Sequence, residues 1–92
     1  MILVDPLRKY RHAPHGLLWW CHMHSDESLA ELHSFALAIG MRTEWFQPKP
    51  YAHYDLPLFR RRIALRNGAI EVGAKEALQR NFDYRLKHGG VW

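Results

Sequence analysis

Seven consecutive residues, Leu17 to Met23 (LLWWCHM), form an almost unbroken apolar run, and a helix-start signal follows at Ser28. The run is too short for a helix of its own and suits a strand covered on both faces. In an extended chain His22 and His24 project to one side, while Cys21 and Met23 project to the other. Ser28-Leu29-Ala30-Glu31 has the form of a capping box, in which hydroxyl and carboxylate each satisfy a free amide of the first turn. Asp26 is a second cap should the helix begin earlier. Leu29, Leu32, Phe35, Ala36 and Ile39 then recur at helical spacing, and Gly40 stands where a left-handed stop belongs. The pattern predicts a helix over residues 28–39. His33 lies at the edge of its apolar face, either as a packed, hydrogen-bonded histidine or as a ring at a pocket wall.

The rest of the chain alternates in the same way. Ile2-Leu3-Val4 reads as a short buried strand ended by Asp5-Pro6, since proline brings no amide donor. Residues 7–16 are basic, contain Pro14 and Gly16, and lack a period, so they read as a long loop suited to binding, with His12 and His15 solvated. Residues 42–46 read as a strand, 47–52 as a proline-broken loop, and Asp55 as the cap of a helix over 56–66 that stops at Asn67-Gly68. A strand over 70–72 and a helix over 74–82 complete the domain, with 83–92 as a tail that frays. Strands alternating with helices predict one small α/β domain over residues 1–82, with a mostly parallel sheet of about four strands and about three helices.

Composition narrows the chemistry. The chain has 92 residues, 48% of them hydrophobic, enough for a modest core. No run reaches transmembrane length and the start is too soon charged for a signal peptide, so no membrane partner is expected. A single cysteine, Cys21, excludes an internal disulfide and fits a reducing cytoplasm; its apolar neighbours point to an inert buried thiol. Thirteen basic residues against nine acidic ones favour an anionic partner.

In open parallel sheets, ligands sit beyond the carboxyl ends of the strands. The strand ends expected here release Asp5, then His24-Ser25-Asp26, then Gln47 and the loop to His53-Tyr54-Asp55. His22, His24, His33 and His53, with Asp5, Asp26 and Asp55, are donors for a divalent metal, although neither HExxH nor paired cysteines are present. A histidine with an aspartate also suits general acid–base work. No nucleophile elbow, phosphate loop or dinucleotide fingerprint occurs. Arg60, Arg61 and Arg62 on the second helix are candidates for an anion, with the Arg62 stem expected to pack between Leu58 and Leu65.

Asp5-Pro6, Gly16, Cys21-His22-Met23, Ser25-Asp26, Glu31-Leu32-His33, Ile39-Gly40, Trp45-Phe46-Gln47, His53-Tyr54-Asp55 and Gly68-Ala69-Ile70-Glu71-Val72 occur in an order that resembles DUF4031. This is a domain-of-unknown-function family of small bacterial and phage proteins. The resemblance covers about residues 1–75 and includes Arg60-Arg61 but not His24 or the tail. It brings no biochemical activity. It implies that His22, Asp26, His33, His53, Tyr54 and Asp55 are recurring family positions, and so belong to a site.

The resulting expectation is a cytoplasmic domain that binds a small phosphorylated or nucleotide-like ligand. His33, His53 and Asp55 would do the chemistry. His22, Asp26, Tyr54, Arg60, Arg61 and Asp5 would contact the ligand, and His22, His33 and His53 would hold a divalent metal if one is used. Metal-assisted phosphoester hydrolysis is the enzymatic form of this reading. The rival is a non-catalytic phage-type protein that sequesters a nucleotide signal, or a nucleic-acid-binding accessory module. A homo-oligomeric structural role would rest on exposed aromatics such as Tyr51 and Trp92.

Overall fold

The computed structural model describes residues 1–12, 16–49 and 51–87; His15, Gly89-Gly90 and Trp92 lie outside them. Its elements are strands β1 (Ile2–Val4), β2 (Arg8–Lys9) and β3 (Trp19–Ser25), helix α1 (Leu29–Ala38), strand β4 (Tyr54–Pro57), helix α2 (Leu58–Arg66), strand β5 (Ile70–Glu71) and helix α3 (Ala74–Lys87). The domain is α/β with three helices, but its five-stranded sheet is mostly antiparallel rather than mostly parallel. Among the described residues only β1 and β5 run parallel, while β3 pairs antiparallel with β1, β2 and β4. The connection between β1 and β3 explains this, because a parallel pair needs a long crossover and the described residues of 5–18 hold no α-helix.

β3 is the spine. One of its edges carries β1 and then β2; the pairs Val4↔Met23 and Arg8↔Trp20 place one extra residue on the β1–β2 side. That bulge falls at Asp5-Pro6-Leu7, where proline cannot donate to the ladder. The other edge carries β4, with His22 opposite Asp55 and Met23 opposite Tyr54.

Alternation along the ladder separates two faces. Ile2, Val4, Cys21, Met23, Tyr54 and Leu56 point to one face, where Leu32 and Ala36 of α1 and Ala64 of α2 close the main core. Each fully buried side chain of this size adds about 1.5–3 kcal/mol of burial energy. Leu3, Val72 and Ala77 form a smaller cluster on the other face beneath α3. α3 covers only part of that face. The remainder, over Trp20, His22, His53 and Asp55, is the floor of an open cavity.

Several local readings change. Residues 42–46 hold a single 3₁₀ turn (Thr43–Trp45) and no strand; Phe46 packs on Tyr54, and the next residue, Gln47, bridges to His53. Residues 54–57 are a strand and not the start of a helix. Pairing with β3 and the following proline hold Leu56 extended, so Asp55 is no cap and Pro57 takes the N-cap position of α2. The helix expected over 74–82 runs on to Lys87, so residues 83–87 are helical and not a frayed tail. The first helix is close to its reading. The Ser28 hydroxyl accepts from the Glu31 amide at 3.0 Å, but the Ser28 amide donates to the Ser25 hydroxyl instead of to Glu31. Gly40 ends it with φ +87. A methyl group there would also come within 2.7 Å of the Arg60 guanidinium.

Candidate metal centre

β3 brings His22, and the start of β4 brings His53 and Asp55, to the uncovered face of the sheet. One nitrogen from each ring and one oxygen of Asp55 lie within 4.8 Å of one another. What surrounds them fixes which atoms meet. The His22 Nδ1–H donates to Asp5 Oδ2 at 2.7 Å, and the His22 amide donates to Asp5 Oδ1 at 2.6 Å. The His53 Nδ1–H donates to the Tyr51 carbonyl at 2.6 Å. Gln47 Nε2 donates to Asp55 Oδ2. Each Nδ1 is thereby committed, and both Nε2 atoms face Asp55 Oδ1, at 3.8 Å from His22 and 3.4 Å from His53. With Nδ1 of each ring occupied, two Nε2 atoms and a carboxylate oxygen converge, an arrangement suited to a cation, either a proton or a metal.

The electrostatics agree. Burial alone would lower the His53 pKa, but the Asp55 carboxylate and the Tyr51 carbonyl outweigh it and raise the value. Burial likewise opposes the charge on Asp55 and on Asp5. Bonds from His53 and Gln47 still hold Asp55 below the usual carboxylate range, and bonds from His22 hold Asp5 there. A histidine whose far nitrogen is tied to a carboxylate or a backbone carbonyl is the usual state of a metal ligand. Two such rings plus one carboxylate are a recurring set for a catalytic metal with open coordination positions.

The three groups form part of the wall of a cavity of about 640 Å³. Arg11, His12 and Lys49 also line it, as do Tyr10, Tyr51 and Gln47. The stretch expected as one loop over 7–16 instead contains strand β2 (Arg8–Lys9), paired with β3; Tyr10, Arg11 and His12, which follow it, line the cavity, and His12 is exposed. Tyr51 packs at 4.9 Å from the His53 ring and at 5.3 Å from His24.

Other expected site residues lie elsewhere. His33 is not in the cluster. It is hydrogen-bonded to the Tyr54 hydroxyl at 2.7 Å and packs edge-on against Phe46, on the α1 face. Tyr54 is fully buried there and offers no surface to a ligand. Asp26 lies beyond the far end of β3, 3.4 Å from Arg80. In an antiparallel sheet the carboxyl ends of neighbouring strands point opposite ways, so no single rim collects Asp5 and Asp26. Arg60 donates to the Ile39 carbonyl at 2.7 Å, closing the end of α1. Arg61 is buried, donates to the Asp5 carbonyl at 3.1 Å and pairs with Glu71. Both are bound within the fold, and α2 packs on the face opposite the cavity. Arg62 is exposed; Arg61 is the arginine of that helix that packs.

His24 is buried, neither ring nitrogen has a hydrogen-bond partner among the described residues, and burial pushes its pKa down to about 4. Cys21 is buried on the core face, and burial pushes its thiol up to about 12, so it is inert.

The family model described as "Protein of unknown function (DUF4031)" matches residues 2–83. The chain belongs to the DUF4031 family. No curated protein and no solved structure matches the chain. Among the described residues, no helix is long and apolar enough to cross a membrane.

Proposed function

We propose that this DUF4031 chain is a metal-assisted phosphoester hydrolase that acts on a small phosphorylated ligand. His22, His53 and Asp55 hold one divalent ion through Nε2, Nε2 and Oδ1. Arg11 and Lys49 draw the phosphate into the cavity, and Tyr51 or Tyr10 packs against the organic part. The observation that supports this best is the convergence of three lone-pair donors whose outward-facing atoms are already hydrogen-bonded. A divalent ion held there would supply polarisation of a phosphoryl oxygen and an activated water. Hydrolysis would join the water oxygen to phosphorus, break the ester P–O bond and pass a water proton to the leaving oxygen.

The test is calorimetric titration of chelator-treated protein with Zn²⁺ or Mn²⁺, followed by hydrolysis of aryl phosphate esters in the same buffer. One ion per chain and metal-dependent turnover are expected, both lost in His53→Ala and Asp55→Asn. A folded protein that takes up neither ion overturns the reading. Metal binding with ligand capture but no turnover would instead support the sequestering binder.

A further inference from the structure

A second cavity, of about 440 Å³, adjoins the first and shares Trp20, Gln47 and Asp55 with it. Its remaining lining differs in character. Leu17, Met41, Trp45, Phe46, Pro57 and Phe59 contribute apolar surface; the charged groups besides Asp55 are Glu44 and Arg60, and Arg60 already donates to Ile39. Trp45 and Phe59 are each 47% exposed, so large aromatic surface stands open to solvent beside the cluster. The Trp20 ring between the two cavities is held in place by its Nε1–H, which donates to the Leu17 carbonyl at 2.7 Å. The metal-ligating carboxylate therefore sits on the wall between a basic cavity and an apolar, aromatic one. Each is large enough for a substrate fragment, since small-ligand sites run from roughly 300 to 1,000 Å³.

We infer that the substrate is a phosphodiester with an aromatic arm. Its phosphate lies at His22, His53 and Asp55, its more anionic arm enters the cavity of Arg11 and Lys49, and its aromatic arm lies against Trp45 and Phe59. This rests on the hydrolase reading above. A monoester has one organic arm and would leave one cavity empty; a diester has two. Cleavage adds water across one P–O bond, the water oxygen going to phosphorus and a proton to the departing oxygen. It releases an alcohol and a phosphomonoester.

The experiment compares bis(p-nitrophenyl) phosphate with methyl p-nitrophenyl phosphate, which has the same leaving group but no second aromatic arm. Turnover with Mn²⁺ and quenching of tryptophan fluorescence are read in the same samples. The wild-type protein should favour the bis-aryl ester by about tenfold in KM, the worth of one stacked ring. Trp45→Ala should abolish that preference in KM, with metal uptake unchanged, and Trp45→Phe should restore most of it. Equal KM and equal quenching for both esters would overturn the two-armed cleft, as would a preference for p-nitrophenyl phosphate. Discrimination in binding without turnover would uphold the cleft and sink hydrolysis, so the two failures are separable.

Discussion

Asp5→Asn tests whether His22 is held ready as a ligand. Asp5 is buried and uses both oxygens on one residue, Oδ2 on the ring and Oδ1 on the amide of His22. Asparagine keeps the shape but has one acceptor and one donor where two acceptors are needed. If its oxygen stays on the His22 amide, its NH₂ faces Nδ1. The ring must then accept there, the proton moves to Nε2, and that nitrogen can no longer bind a metal. If the amide is turned round, the NH₂ opposes the His22 backbone N–H and leaves two buried donors face to face, at a cost of about 1–3 kcal/mol. Losing the partner of a metal-bound histidine typically lowers affinity about 10–100-fold, which is roughly 1.4–2.7 kcal/mol. Zn²⁺ titration of the variant should show that drop, and ¹⁵N spectra of the imidazoles should show His22 changing tautomer. Wild-type affinity with an unchanged tautomer would refute the argument that Asp5 orients the ring.

Four further outcomes follow from the same geometry. His33→Ala should leave Zn²⁺ affinity unchanged but destabilise the fold by about 1–3 kcal/mol by orphaning the buried Tyr54 hydroxyl, as measured by urea denaturation; a loss of metal binding would put His33 back at the site. The His53–Asp55 pair stabilises the metal-free protein with both partners charged. The raised His53 pKa makes its contribution full below about pH 6.5, the unfolded value, and lost as pH rises through the folded one. The lowered Asp55 pKa makes its share present above its unfolded value and lost as pH falls through the lower folded one. Metal-free wild type should therefore lose Tm relative to His53→Gln as pH rises above about 6.5 and through the raised folded value, whereas metal affinity should rise over the same range because a proton no longer competes; a pH-independent difference between the two proteins would contradict this. His24→Leu removes a buried ring whose nitrogens have no hydrogen-bond partner among the described residues and should be neutral or stabilising by up to about 3 kcal/mol with metal affinity intact; marked destabilisation would mean that His24 has a partner in solution. Gly40→Ala should cost about 1–2 kcal/mol for its left-handed backbone, and more if Arg60 is pushed off Ile39; an unchanged Tm would contradict it.

The fold was legible where one period and one stop signal agreed. Leu29 to Ile39 carry a helical period between a Ser28 cap and Gly40, and α1 forms there within a residue at each end. The Leu17–Met23 run likewise lies in the region of β3. Sheet direction was not legible, because nothing local distinguishes a strand fed by a crossover from one fed by a loop. The signal was negative: the described residues of 5–18 hold no α-helix to serve as a crossover, in keeping with an antiparallel β1–β3 pair. The error at Asp55 has a similar source. Asp-Leu-Pro reads locally as a cap and a first turn, but pairing with Trp20, Cys21 and His22 holds it as strand.

The antiparallel pairing also decided which residues form the site. His22 lies opposite Asp55, and His53, two residues before Asp55, projects to the same face. The residue between them, Tyr54, must point the other way, and its hydroxyl meets His33 there. Three adjacent polar residues, His53-Tyr54-Asp55, are thus divided between a candidate metal centre and the core. Their strand period would have shown this had β4 been read as a strand. The sequence puts Gln47 at a strand end and Tyr51 among exposed aromatics and leaves Lys49 unassigned, because all three belong to a proline-broken loop without a period. Their place in the cavity depends on the bridge between Gln47 and His53, a contact that no local pattern announces. The same parity explains why a chain with seven histidines offers a metal only two of the three expected: the strands select His22 and His53, and α1 keeps His33 on the opposite side of the sheet.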